Sequence, residues 1–261
     1  MNILIAPFIN ALIGLYHLFG NFGWAVIAVT AIIRILLIPL VLPTLKSSKK
    51  MMLLQPKLKK IQEQFKSDKK ALAAAQMELY KKEGINPLSG CLPQIAQIAV
   101  LIIFFSAFNM VVNYSMGKGS LEAVNKNLIP AFQLKQDYKM NLMFLGSDLT
   151  KTPSQIYKAG ANVVNLALPF ILLLGSAVLQ FFSSKLMMPA TKTDQLVVEK
   201  VTKDKEDDMM AAMRTQSLYM MPLMTLFIGW GFNLGILLYW FMNSLLMLLQ
   251  QLAVEKKPVV K

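Results

Sequence analysis

The sequence predicts an all-α polytopic membrane protein: five transmembrane helices around a hydrated groove, plus a cytoplasmic helical hairpin. Three observations lead there. The 261 residues are 55% hydrophobic with a mean hydropathy of +0.49, more apolar than a soluble domain of this length can hide. Several runs reach the ~20 apolar residues that carry a helix across a ~30 Å hydrocarbon core. The charges fall between those runs, and the period-2 alternation of a membrane barrel is absent, so helices must satisfy the backbone.

Residues 1–21 are apolar, interrupted by Asn10 and His17, with no basic residue before them and no small-residue cleavage site after. They read as an extracytoplasmic interfacial helix or a short first span, and not as a signal peptide. Residues 22–45 form the first long span, with Arg34 near its middle and Pro39 and Pro43 placed to kink or end it.

Residues 46–91 are polar, with eleven lysines and four acids. Leu54, Leu58, Ile61 and Phe65 recur at a helical period, and Leu72, Ala75 and Leu79 repeat it after a break at residues 66–69. The pattern is that of two antiparallel helices sharing one narrow apolar seam. Residues 92–112 are the second span, entered through the breaker-rich stretch of residues 84–90.

Residues 113–162 make a mixed extracytoplasmic loop, with short interfacial helices expected around 128–132 and 140–144. Residues 163–187 are the third span. Residues 188–217 are charged in both signs. The next 35 residues are apolar, and one helix of that length would measure about 52 Å. Residues 229–235, rich in glycine, offer a turn, so 218–230 and 232–252 are read as a hairpin of two spans. The first arm is about 20 Å long, shorter than the hydrocarbon core. Residues 253–261 are a short basic tail.

Twenty of the 27 basic residues lie in 46–91, 185–216 and 253–261, against six in 113–162. Cytoplasmic loops carry the excess of Lys and Arg, which places the amino terminus outside and the carboxyl terminus in the cytoplasm. A six-span version, with residues 3–19 crossing, leaves every other orientation unchanged. The net charge of +13 is therefore a matter of topology and anionic lipid, and no direct nucleic-acid partner is expected.

Arg34 is the residue that needs an explanation. A charge at the bilayer centre costs about 2.5–3.5 kcal/mol or more, and no Asp or Glu lies in any proposed span to offset it. Neutral polar residues on the other spans can line a wet pocket: Gln94, Gln97, Asn162, Asn165, Ser176, Gln180, Thr225, Asn243 and Gln250. A permanently charged guanidinium facing water suits capture of acidic groups.

Other chemistry is poorly served. Cys91 is the only cysteine and His17 the only histidine, which leaves no disulfide, no CxxC and no metal-ligand set. No phosphate-binding GxxxxGK[ST] occurs and no acid pair is placed for catalysis, so neither an enzyme nor a cofactor is expected.

Two stretches have the look of a known family. Residues 54–62, Leu-Gln-Pro-Lys-Leu-Lys-Lys-Ile-Gln, resemble the start of the cytoplasmic hairpin of the YidC membrane insertases, which have mitochondrial and chloroplast relatives. Residues 79–87 running into Gly90-Cys91-Leu92-Pro93 are similar to its exit. Leu168-Pro169, Leu179-Gln180, Met221-Pro222 and Leu238-Tyr239-Trp240 extend the resemblance over roughly residues 5–252.

The resemblance implies a five-span core with a groove open to cytoplasm and lipid and closed outside. It puts the groove arginine at Arg34, the groove glutamines at Gln97 and Gln180, and the last-span aromatic at Trp240. With Asn243 these five are the expected client-binding residues. A proline often present after the second-span glutamine is replaced here by Ile98-Ala99, and no large extracytoplasmic domain is expected among these 261 residues. The implied activity is insertion of client transmembrane segments into the bilayer, or their chaperoning, without ATP hydrolysis, in a bacterial plasma membrane.

Implied partners are nascent membrane proteins and lipid, together with the ribosome, the signal recognition particle pathway and the Sec translocon. The competing reading from the residues alone is a small anion transporter or channel with Arg34 in the substrate site. A scaffold that holds partners on the lysine-rich hairpin is a further one.

Overall fold

The computed structural model describes residues 2–65, 68–84, 92–136, 138–160, 162–187 and 216–255. Helix α1 (Asn2–Phe19) leads into α2 (Phe22–Leu53), and α3 (Gln55–Gln64) and α4 (Lys69–Lys82) follow. Next come α5 (Leu92–Ser115), α6 (Leu121–Asn125), a two-stranded ladder of β1 (Met143–Phe144) and β2 (Ser147–Asp148), and α7 (Pro153–Lys158). Helix α8 (Val163–Met187), a π turn (Gln216–Met220), α9 (Met221–Gly229) and α10 (Leu234–Glu255) complete the order.

Four of these, α2, α5, α8 and α10, are long and apolar enough to cross a membrane. The fold is an all-α polytopic membrane protein. The π turn and α9 together span only 14 residues, about 21 Å, shorter than a bilayer core.

Helix α2 does not end at its prolines. It is continuous through Pro39 and Pro43 to Leu53, and its membrane-length apolar stretch covers Phe22–Ser47. Each proline removes only one N–H from the ladder, and neighbouring groups in a packed membrane helix can re-satisfy the carbonyl. The break comes at Leu54, where Pro56 opens α3 in a first-turn position that needs no N–H.

At the start of α4 the Asp68 carboxylate accepts from the Lys70 and Ala71 amides, both at 3.0 Å, an N-cap that fixes the turn between the two helices. Leu54 and Leu58 are buried at the base of this pair against Met51, Leu79 and Tyr80. Lys57 and Glu83 form an exposed ion pair alongside.

The loop between α5 and α8 is a folded cap. The expected helix at 140–144 is instead the β1–β2 ladder. Leu145 (φ 47°) and Gly146 (φ 79°) are both left-handed, the geometry of a tight two-residue hairpin turn and incompatible with a right-handed helix. The Phe144 ring sits on Gly23 of α2, where any β-carbon would collide with it, and meets Trp24 edge-on at 5.5 Å.

The carbonyls of Leu149 and Lys151 accept from the Gly235 and Leu234 amides at 3.0 and 2.9 Å. They satisfy donors that the first turn of α10 cannot pair within the helix. Helix α1 is pinned under the same cap. Asn10 donates to the Asn127 carbonyl (2.7 Å) and accepts from the Ile129 amide (2.8 Å). Phe132 lies over Gly14, and Tyr16 accepts from the Asn141 amide at 2.8 Å.

The apolar core lies at this capped end. It is built from Ile9, Leu12 and Ile13 of α1, Phe22, Val26 and Val29 of α2, Phe104, Phe108 and Val111 of α5, and residues 234–239 of α10. Gly235 lets Phe108 lie directly on the α10 backbone. Towards the α3–α4 end the packing changes: none of residues 96–103 of α5 is buried, whereas Phe104, Ala107, Phe108, Val111 and Val112 are.

Candidate functional site: a polar cluster around Arg34

Below the apolar core the interior turns polar. Arg34 lies twelve residues into α2, about 18 Å along the helix, and is 5% exposed. Its Nε donates to the Asn243 side-chain oxygen at 2.7 Å, and one terminal nitrogen donates to the Asn243 carbonyl at 3.1 Å. The guanidinium is thus held by a neutral residue, with no carboxylate in its own or any neighbouring span. Charge-assisted hydrogen bonds of this kind are about twice as strong as neutral ones, and no carboxylate among the described residues pairs with the charge.

Gln97 reaches the same region from α5. Its Nε2 donates to the Tyr239 hydroxyl at 3.3 Å, one turn of α10 before Asn243. The Tyr239 ring stacks on Phe104 with centroids 4.2 Å apart, which fixes where the hydroxyl points. Gln250 donates from Nε2 to the Arg34 carbonyl at 3.4 Å. Tyr239, Asn243 and Gln250 are spaced by four and seven residues, so they line one face of α10, and that face is turned towards α2.

The other two expected site residues make different contacts. Gln180 on α8 accepts from the Thr225 hydroxyl at 2.8 Å and ties α8 to the short helix α9. Trp240 follows Tyr239 in sequence and so points about 100° away. Its ring meets Phe232 at 5.8 Å. Of the polar residues singled out in the sequence, Gln94 has a side chain outside the described residues, as do residues 85–91 and 188–215 in full.

Tyr239 and Gln251 were not among the expected site residues. Their signal in the sequence is weak, a phenol and an amide in an otherwise apolar helix. Only the packing of α10 against α2 and α8 shows which faces they occupy.

Outside the cluster, α8 and α9 present a continuous apolar face. Val178, Leu174 and Phe182 on α8, and Leu223 and Phe227 on α9, are about half exposed or more. In a chain with long apolar helices, lipid is the solvent for such a face.

The 60Kd inner membrane protein family matches this chain over residues 14–260. Among similar curated proteins, one from Endomicrobium trichonymphae named membrane protein insertase YidC is 30% identical over 251 residues, 96% of this chain and 39% of that protein. A protein of the same name from Campylobacter jejuni is 30% identical over 96% of this chain and 37% of its own length. One from Streptomyces avermitilis is 28% identical over 89% of this chain and 51% of its own. This chain therefore spans between about a third and a half of the length of these relatives. With nearly its whole length matched and its membrane helices in place, the chain belongs to the 60Kd inner membrane protein family, that of the YidC insertases.

Proposed function

We propose that this protein is an insertase that moves client transmembrane segments into the bilayer, using a hydrated groove around Arg34 and no ATP. The observation that carries this reading is a buried, permanently charged arginine held, among the described residues, by neutral groups. A charge kept in a membrane interior without a counter-ion marks a functional site by default. In this reading its missing partner arrives with the client.

The barrier to insertion is the polar segment that must cross lipid, because its backbone and charges lose water. A groove that brings water partway in shortens the dry path. The uncovered part of α5 beside Gln97 supports an opening at the α3–α4 end, and the folded cap supports closure at the other. Arg34 holds an acidic or polar client segment while the apolar segment slides out along the exposed faces of α8 and α9, driven by its own transfer into lipid. The short α9 thins the bilayer locally. In this arrangement there are five spans, with α1 at the outer interface, the carboxyl terminus in the cytoplasm, and Gln180 and Trp240 on the client path. The α3–α4 hairpin faces the ribosome, signal recognition particle and Sec components.

The test is insertion of a short single-span client with an acidic outer segment into liposomes containing only this protein. Wild type inserts the client, Arg34→Lys largely retains the activity, and Arg34→Ala and Arg34→Glu lose most of it. Full insertion by Arg34→Glu refutes charge capture, and no insertion by wild type refutes autonomous insertion.

A further inference from the structure

On the side of Arg34 away from the cap, two adjacent glutamines carry an unmet hydrogen-bonding demand. Ser183 of α8 donates to the Gln251 side-chain oxygen at 2.7 Å, and both residues are 5% exposed. The Gln251 nitrogen Nε2 is fully enclosed and has no partner among the described residues. Gln250, which donates to the Arg34 carbonyl, has an enclosed Oε1 that likewise lacks one. Successive residues thus offer one free donor and one free acceptor, Gln251 towards α8 and Gln250 towards α2.

Native structures rarely keep such groups, because an enclosed polar atom that has given up water and gained nothing is costly. Here the cost is not a by-product of chain geometry, since an apolar residue at 250 or 251 would remove it. A free amide N–H complements a main-chain carbonyl, and a free amide carbonyl complements a main-chain N–H, each on its own side of α10. An extended polar segment inside the bilayer presents those very groups, stripped of water and unpaired.

We propose that Gln250 and Gln251, with Ser183 holding the latter, form a subsite for the main chain of an extended polar client segment. This rests on the insertase reading and deepens it. Arg34 selects for charge, whereas the two amides take any sequence, because every non-proline peptide unit carries the same donor and acceptor. Both atoms are enclosed at rest, so occupancy requires α10 to part slightly from α2 and α8. The client then relieves a deficit already built into the closed packing.

The experiment traps the contact directly. Gln251→Cys in a Cys91→Ser background is mixed with an arrested single-span client bearing one cysteine, and a mild oxidant is added. A disulfide to a cysteine in the client's polar segment is expected, and none to one in its apolar segment. The absence of the first overturns the subsite. A wild-type protein that inserts nothing while the trap still forms leaves the subsite standing and removes the insertase reading. Gln251→Leu is the second arm. Insertion should fall about fivefold, the effect of one ordinary hydrogen bond, while the thermal midpoint in detergent holds or rises. Unchanged insertion, or a loss that tracks a lowered midpoint, assigns Gln251 to helix packing alone and overturns the proposal.

Discussion

Arg34 and Asn243 stand 209 positions apart in the chain and meet at 2.7 Å, guanidinium to amide oxygen, in the interior of the helix bundle. The pairing joins the first long membrane helix to the last. It holds a charge in place without neutralising it, and two predictions separate these effects.

Asn243→Ala removes the side-chain acceptor and leaves the Arg34 Nε without its partner. Loss of one side of a buried hydrogen bond costs about 1–3 kcal/mol, so the thermal midpoint in detergent falls. Asn243→Asp supplies a carboxylate at the same place. The midpoint should hold or rise, and insertion of clients with acidic outer segments should fall because Arg34 is already paired. Undiminished insertion by Asn243→Asp would show that the free charge is not what the client uses.

At the capped end, a side chain on Gly235 would collide with the Phe108 ring lying on it. Gly235→Val should destabilise the fold by about 1–3 kcal/mol through overpacking. Thermal unfolding checks this, and Phe108→Leu in the same chain should restore part of the loss.

Asn10 links α1 to the loop through both ends of its amide. Asn10→Ala leaves the Ile129 amide without its acceptor. Hydrogen exchange should then accelerate at Ile129 and along α1, while amides in α8 stay protected. Uniform exchange across the protein would mean that α1 is integral to global stability and not a separately docked element.

The same clasp has an alkaline limit. Burial, with Tyr16 nearby, raises the Tyr138 phenol above its ordinary value of 10.0. A group whose folded pKa is raised binds its proton more tightly in the folded state. Its contribution is complete below the unfolded pKa and is lost as pH rises through the folded one. Contact between α1 and the loop should therefore loosen only above about pH 10. Tyr138→Phe should remove that dependence, measured by accessibility of α1 to labelling.

In the α3–α4 pair, the Lys57–Glu83 bridge is largely exposed. Lys57→Ala should change stability by less than about 1 kcal/mol. Leu58→Asn puts an amide into the small apolar cluster with Leu54 and Leu79 and should separate the two helices. Circular dichroism and limited proteolysis would detect this without any change in the capped core.

Hydrophobic run length was enough to read the fold class, because a bilayer demands long apolar helices and the sequence spells out their lengths directly. Arg34 was legible as an anomaly, a charge with no acid anywhere in the spans. Other features were not legible. Pro39 and Pro43 stand inside a continuous α2, at positions where local sequence alone allows a kink or an end. The β1–β2 ladder depends on Leu145 adopting a left-handed conformation, which nothing in local propensity announces.

The sequence by itself determined that this is a multi-span helical membrane protein with a misplaced positive charge and a lysine-rich helical pair outside its spans. Composition and periodicity are local properties, and the bilayer converts them into helices with little choice. Tertiary structure decided that Asn243 holds Arg34, that Gln97 hydrogen-bonds Tyr239, that Gln180 accepts from Thr225 and that the Trp240 ring meets Phe232. Those outcomes depend on the rotation of α10 against α2, α5 and α8. That rotation is set by close approaches such as Phe108 on Gly235, between residues that the chain keeps far apart.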